Sequence, residues 1–353
     1  MNNLLEELKE KGELVDNYLL GFKKLESLKP SYLRDGFEHY IRQGGKRLRP
    51  ALVLWACELV GGDIQKALPA AAAIELSHTW TLVHDDIIDK DDLRRGAPSM
   101  HAYYKEYFEG KYPGQDVDHL AKSFAMLVGD TQQSLATSML NQVGVAPDIK
   151  KWLIDDLTTS WLPEVLQGEV LDVEFAWRNL SELSEEEIIE MLSLKTASTF
   201  VWSVRAGGVV GLNKIDLDNS VIKALETIAL QAGLAFQLHD DVLGILGSEK
   251  DLGKPIGSDI REGKRTIISV HAYKNANLED CKVLDEVLGN ENASEGEVGK
   301  VKEIFIKLGS IEYVKKLIKE ASKKALSEFD NLPEHKTKGY FKDWVDFIGN
   351  RDF

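Results

Sequence analysis

The stretch that decides the fold is IQKALPAAAAIELSHTWTLVHDDIID, residues 64–89. Four consecutive alanines, Ala70 to Ala73, lead straight into Asp85, Asp86 and Asp89 within what reads as one long helix with a closely packing face. Close packing would hold the carboxylates still. At 100° per residue Asp85 and Asp89 fall within about 40° of each other, one turn apart, whereas Asp86 points about 100° away. Asp85 and Asp89 are the natural ligand pair.

A second acidic pair, Asp240 and Asp241, lies in FQLHDDVL, residues 236–243, again among apolar residues. Carboxylates on apolar helices repel one another and resist desolvation unless cations neutralise them, so the two sets predict bound metal. One of Asp240 and Asp241 should face the first pair. Oxygen-only ligands suit a hard cation, and Mg²⁺ takes one or two carboxylates and fills its remaining positions with water and substrate phosphate oxygens. The expected substrate therefore carries a diphosphate.

Outward from these sets, apolar spacings of three and four dominate and strict alternation is hard to find, which predicts an all-α chain. Helices are expected over 2–28, 31–42, 46–60, 64–89, 117–142, 148–177, 184–206, 218–247 and 259–273, with several more to the end. Loops are expected at Gly61-Gly62-Asp63, at Gly110 to Gly114 and over Gly289 to Glu297. Neither a low-complexity linker nor a solenoid repeat divides the 353 residues, so a single domain, 1–353, is expected. A formal charge of −15 argues against nonspecific nucleic-acid binding. Cys57 and Cys281, without CxxC spacing, indicate neither a disulfide framework nor a zinc site. The charged N-terminus and the lack of a run of about 18 apolar residues predict a cytoplasmic protein with no transmembrane segment.

A metal-bound diphosphate still carries negative charge, and the cations come in bursts: Lys46, Arg47 and Arg49, then Arg94 and Arg95, then Lys254, then Lys264 and Arg265. These read as phosphate ligands. In GGKRLRP, residues 44–50, two glycines would let backbone amides approach an anion at a helix start.

GGKRLRP, then HDDIIDKDDLRRGAPSMH, then LAFQLHDDVLG with GKPIGSDIREGKRT, in this order and spacing, resemble the trans-isoprenyl diphosphate synthase (polyprenyl synthetase) family from Gly44 to Thr266. The resemblance implies the isoprenoid synthase fold, a bundle of about ten or more helices around a central active-site cavity. It also implies ionisation of an allylic diphosphate (dimethylallyl, geranyl or farnesyl), joining of the cation to isopentenyl diphosphate, and proton loss. By resemblance, Asp85 and Asp89 serve two Mg²⁺ ions and Asp240 a third. Arg94 contacts the allylic diphosphate, with Lys195, Lys254 and Lys264 beside it. Isopentenyl diphosphate falls to Lys46, Arg49, His78 and Arg95, and Thr196 and Gln237 offer oxygen dipoles to the carbocation. A homodimer is also implied.

The chain departs from the family pattern twice. Gly244 stands where many relatives carry a third aspartate, and Glu169 where they commonly carry glutamine. Asp91 and Asp92, in a polar stretch, need only cap or solvate, and on pattern alone His78 and His84 read as core histidines. Trp55, Trp152, Trp161, Trp177 and Trp202 fit core packing or a subunit interface.

Product length should depend on the helix turn before Asp85. Geometry alone puts Thr81 about 40° from Asp85 and Trp80 about 140° away, favouring Thr81 as the lining residue. An aromatic five before the first aspartate, with a small residue four before, instead resembles the archaeal geranylgeranyl synthase type, which implies Trp80 as the floor and a C20 product, with farnesyl (C15) second. A terpene cyclase would share the aspartate motif but needs no second diphosphate cradle such as GGKRLRP. A noncatalytic partner subunit usually shows eroded aspartate motifs, and a carboxylate-metal phosphohydrolase would release diphosphate without isopentenyl diphosphate.

Overall fold

The computed structural model describes residues 2–247 and 257–349. They form helices throughout, apart from one hairpin of two-residue strands. The chain packs into two compact units, neither of them contiguous: Met1–Thr158 with Ser203–Ile222 and His335–Tyr340, and Thr159–Trp202 with Lys223–Glu334 and Phe341–Phe353.

In the first unit α1 (Asn2–Leu20), α2 (Ser31–Arg42) and α3 (Leu48–Leu59) precede α4 (Ile64–Ile88). The Asp63 carboxylate caps α4 by accepting from the Gln65 amide. Ala70 to Ala73, Ile74, Leu76 and Val83 are completely buried, as expected of a helix apolar on most of its circumference. The helix stops at Asp89: Lys90 turns to φ 59°, and the Asp91 amide donates back to the Asp86 carbonyl at 2.9 Å. This is the closure that satisfies the last carbonyls of a helix.

The hairpin β1 (Leu93–Arg94) and β2 (Ala97–Pro98) follows, pairing Leu93 with Pro98 and Arg94 with Ala97. Arg95 and Gly96 both sit at positive φ in a two-residue turn whose twist matches the strands. Next come α5 (Met100–Glu109), α6 (Val117–Leu140) and α7 (Pro147–Asp155). Met100, Tyr104 and Phe108 of α5 lock against Ala121, Ala125 and Val128 of α6 and Tyr40 of α2.

In the second unit α8 (Leu162–Phe175) leads to α9 (Glu185–Leu192), started by a reciprocal Ser184–Glu187 capping box. A π-helical turn, Ser193–Ala197, then passes into α10 (Ser198–Leu212). The long α11 (Ser220–Leu246) and the short α12 (Ser258–Glu262) and α13 (Ile267–Asn275) carry the second motif region. The last helices are α14 (Leu278–Val287), α15 (Glu295–Lys307), α16 (Ser310–Ser327) and α17 (Lys336–Gly349).

Several expected helices are subdivided. The 148–177 and 184–206 helices each contain a π-helical turn, at Asp156–Trp161 and Ser193–Ala197. The first helix ends at Leu20 and a 3₁₀ turn, Lys23–Ser27, follows. The 259–273 helix breaks at Gly263, whose φ of 75° ends α12. Helix α5 was not anticipated, although its buried side chains recur every fourth residue. One helix among the described residues, α11, is long and apolar enough to cross a membrane on length and mean hydropathy, although it holds polar and charged residues and is no continuous apolar run. Half of its apolar window is buried within the protein, as in a core helix.

Candidate active site

Asp85, Asp86 and Asp89 lie in the last turn and C-cap of α4, where the partial negative charge of the helix end accumulates and no basic residue of that turn offsets it. Three carboxylates there are unfavourable without cations. Asp86 has its own partners: it is fully buried, accepts from Arg94 Nε at 2.7 Å and from the Tyr40 hydroxyl, and that hydroxyl in turn accepts from the Met100 amide. Burial raises the Asp86 pKa against the pull of Arg94. Asp86 thus orients Arg94, while Asp85 and Asp89 remain half-exposed on one side of the helix. Asp85 also acts electrostatically on Arg94.

The loop between α2 and α3 works differently from the expectation drawn from GGKRLRP. The Gly44 amide is used within the loop, donating to the Ile41 carbonyl at 3.1 Å. The Gly44 carbonyl accepts from both Arg47 and Arg95. A Cβ at Gly45 would come 2.9 Å from Arg95 Nη1 and 3.0 Å from Arg47 Nη1, so this glycine, at φ 149°, lets two guanidinium groups converge.

Arg47, read from the sequence as a phosphate ligand, is engaged inside the fold. It is 5% exposed, with Nε 2.8 Å from Asp16 and Nη1 2.8 Å from Glu75, itself 4% exposed. Lys46 is exposed and Arg49 half-buried. Arg49 Nη1 lies 3.1 Å from His78 Nε2; since arginine can only donate, Nε2 accepts and the ring proton sits on Nδ1. Burial first, then the charges of Arg49, Arg95, Arg94 and Arg47, push His78 well below the usual histidine range, so it stays neutral. The structure therefore gathers Arg49, His78, Arg94 and Arg95 into one positive cradle beside the Asp85 turn.

Trp80 is 8% exposed and sets its ring edge-on to His84, with centroids 5.5 Å apart. Gly129 on α6 leaves room for this pair, because a Cβ there would meet His84 at 2.8 Å and Trp80 at 3.2 Å. Thr81 is half-buried and donates to the His78 carbonyl at 2.8 Å. Asp92 is solvated, with a side chain 82% exposed.

In the second unit the π-helical turn carries Lys195 and Thr196. Lys195 Nζ lies 2.6 Å from Asp172 and 2.7 Å from Glu169, which gives the unusual carboxylate at 169 a partner. The Thr196 hydroxyl donates to Gln237 Oε1 at 3.0 Å, and Gln237 Nε2 donates to Asp241 Oδ1 at 3.2 Å. This chain fixes the amide orientation and leaves oxygen lone pairs of Thr196 and Gln237 as the available dipoles. Asp240 is half-buried. Asp241 is 9% exposed, and its Oδ2 has no hydrogen-bond partner among the described residues. Lys264 pairs with Glu262 at 3.4 Å. Arg265 reaches the Ala176 carbonyl and lines a cleft with Tyr273 and Asp285, apart from this set. Lys254 lies outside the described residues.

Among the described residues no three His, Cys, Asp or Glu side chains close a ready-made metal cage. Within the first unit the half-exposed Asp85 and Asp89, and separately within the second the half-exposed Asp240 and the orphaned oxygen of Asp241, have the oxygen chemistry that suits a hard cation completing its shell with water and phosphate oxygens.

The polyprenyl synthetase family model matches residues 30–305. The chain belongs to this family. A geranylgeranyl diphosphate synthase of Saccharolobus solfataricus is 36% identical over 324 residues, covering 91% of this chain and 90% of that one. Two solved structures are similar along nearly the whole length. The geranylgeranyl pyrophosphate synthetase of Pyrococcus horikoshii superposes with a TM-score of 0.85 at 33% identity, 99% of each chain being covered. The geranylgeranyl pyrophosphate synthase of Corynebacterium glutamicum, complexed with isoprenyl diphosphate and magnesium, gives 0.88 at 25% identity, again covering 99% of each chain. This polyprenyl synthetase thus has the all-α isoprenoid synthase fold and is a prenyltransferase.

Two features of this prenyltransferase were illegible as sequence: the use of Arg47 inside the fold, and the close approach of the Asp259 carboxylate to the backbone at Gly244, where a Cβ would lie 2.1 Å from Asp259 Oδ2, which no spacing on α11 signals. The electrostatics of the second unit have a measurable consequence. Burial, reinforced by Asp259, Asp240 and Asp172, pushes the Asp241 carboxyl from its usual 3.8 up to about 8. An acid whose folded pKa is raised stabilises fully below the unfolded pKa and loses that contribution as pH rises through the folded one. Metal-free protein is therefore expected to lose thermal stability between about pH 4 and 8, and Asp241→Asn to flatten that slope. Thermal melts across the range check it; parallel slopes for both proteins would show that Asp241 does not carry the effect.

Proposed function

We propose that the chain is a Mg²⁺-dependent geranylgeranyl diphosphate (C20) synthase, condensing isopentenyl diphosphate with dimethylallyl, geranyl and farnesyl diphosphates by ionisation, condensation and elimination. The observation that carries this reading is the Arg49, His78, Arg94, Arg95 cradle beside the carboxylate-bearing end of α4. A terpene cyclase has no use for a second diphosphate cradle.

In this reading Lys46, Arg49, His78 and Arg95 hold isopentenyl diphosphate. Arg94, aimed by Asp86, and Lys195, Lys254 and Lys264 hold the allylic diphosphate. Asp85 and Asp89 hold two Mg²⁺ ions and Asp240 a third. Bound Mg²⁺ supplies the charge neutralisation that lets diphosphate depart. Neutral His78 adds no repulsion to the incoming cation, and the oxygens of Thr196 and Gln237 stabilise that cation without trapping it.

Chain length falls to Trp80, one turn and a residue before Asp85 and pinned by His84 and Gly129, with the smaller Thr81 beside it. The relative from Saccharolobus supports C20, and C15 is the second reading. Incubating the protein with Mg²⁺, labelled isopentenyl diphosphate and each starter in turn tests both activity and product. The wild type is expected to stop at C20 and Trp80→Ala to extend products by one or more C5 units. An unchanged product spectrum would remove Trp80 from the role of floor, and diphosphate release without condensation would remove the synthase reading.

We further propose one catalytic domain acting as a cytoplasmic homodimer. Apolar side chains left at the surface support the dimer: Met126 and Leu127 on α6, Leu166 and Val170 on α8, and Trp177 just beyond it.

A further inference from the structure

Position 244 is glycine, yet the space a side chain there would occupy is already filled. A Cβ built on Gly244 would lie 2.1 Å from Oδ2 of Asp259 and 3.2 Å from its Cγ. No real Cβ tolerates such an approach, so the Asp259 carboxylate and a side chain at 244 exclude one another. Position 244 is one turn beyond Asp240 and about 40° round the helix, which puts the Asp259 carboxylate over the face of α11 that bears Asp240.

Helix α12 brings Asp259 there. It starts after Gly257, at φ 79°, and ends at Gly263, at φ 75°. The Asp259 carbonyl accepts from the Lys264 amide at 2.9 Å, tying its backbone to the segment that follows. Asp241, three residues before Gly244, is 9% exposed and turns a buried Oδ2 toward no hydrogen-bond partner among the described residues. A carboxylate oxygen buried in that state beside two further carboxylates marks a place for a cation.

We propose that Asp259 supplies, from a separate helix, the third carboxylate that α11 lacks at 244, and that it shares with Asp240 the Mg²⁺ bound at the second acidic motif. The inference rests on the Mg²⁺-diphosphate reading above. It makes Gly244 a requirement of the arrangement, since the helix stays bare at 244 to admit the carboxylate.

The test is Mn²⁺ binding to the full chain in the presence of inorganic pyrophosphate, followed by electron paramagnetic resonance, with circular dichroism to monitor the fold. Asp259→Asn should weaken one class of bound Mn²⁺ by about 10–100-fold and leave the others as in the wild type. Gly244→Ala, which keeps Asp259 but displaces its carboxylate with a methyl group, should do the same and decides the matter if Asp259→Asn fails to fold. The exchange Gly244→Asp with Asp259→Gly should recover most of the affinity. If both single variants bind as wild type does, or if the exchange is no better than Asp259→Asn, the proposal is overturned while the Mg²⁺ reading stands. If the wild type binds no Mn²⁺ with pyrophosphate, the Mg²⁺ reading itself fails.

Discussion

Asp85→Asn is expected to lower turnover by about 10²–10³-fold, the scale lost when a group that stabilises developing charge is removed from an active site. Asparagine matches aspartate in size, and position 85 is half-exposed at the end of a helix held by buried alanines, so the fold survives the exchange. What disappears is one negative oxygen at a place where no basic residue of the same turn competes for it. The loss should fall on kcat rather than on KM for isopentenyl diphosphate, because the exchange leaves untouched Arg49, His78 and Arg95, the cradle proposed for that substrate. Asp240→Asn in the second unit behaves alike, and raised Mg²⁺ recovers part of the rate in either variant. Steady-state product formation by both variants, with Mg²⁺ varied, gives the answer. Activity within about tenfold of wild type would mean that these carboxylates do not hold the catalytic metal.

Arg47→Met costs about 3–5 kcal/mol of stability, the range found when one partner of a buried ion pair is removed and the other stays charged in the interior. Glu75 is that stranded partner, 4% exposed and 2.8 Å from the guanidinium. For a protein of this length the loss corresponds to a fall in melting temperature of about 4–7 °C. Methionine fills most of the volume, which confines the effect to charge and hydrogen bonding, and the double variant Arg47→Met, Glu75→Gln should regain a good part of it. Calorimetry on the three proteins separates this from a role in phosphate binding. An unchanged melting temperature with a raised KM for isopentenyl diphosphate would return Arg47 to the substrate ligands.

The helical class and the position of α4 were legible because a long apolar repeat outweighs local propensity, and because Asp85 and Asp89 differ from Asp86 by simple helical geometry. The same geometry separated the roles within the first acidic set: the off-face Asp86 turns inward to Arg94 and Tyr40. Breaks inside helices were not legible. A π-helical turn such as Ser193–Ala197 inserts one residue without a glycine or proline to announce it, yet it places Lys195 and Thr196. Nor does composition distinguish three adjacent cations by depth. Lys46 is exposed, Arg47 buried and Arg49 between them, because Arg47 alone stands at φ 48°, which swings it toward Asp16 and Glu75. Asp259 was hidden for a related reason: its partner position is a glycine, and a glycine says only that something comes close.

The ion pair between Asp16 and Arg47 also changes the standing of the first twenty residues, which hold none of the recognisable motifs. Arg47 and Arg95 meet at one carbonyl, that of Gly44, so the N-terminal helix is mechanically linked to the guanidinium proposed above for isopentenyl diphosphate. Removing α1 would slacken a clamp whose jaws, Arg47 and Arg95, lie well downstream of it.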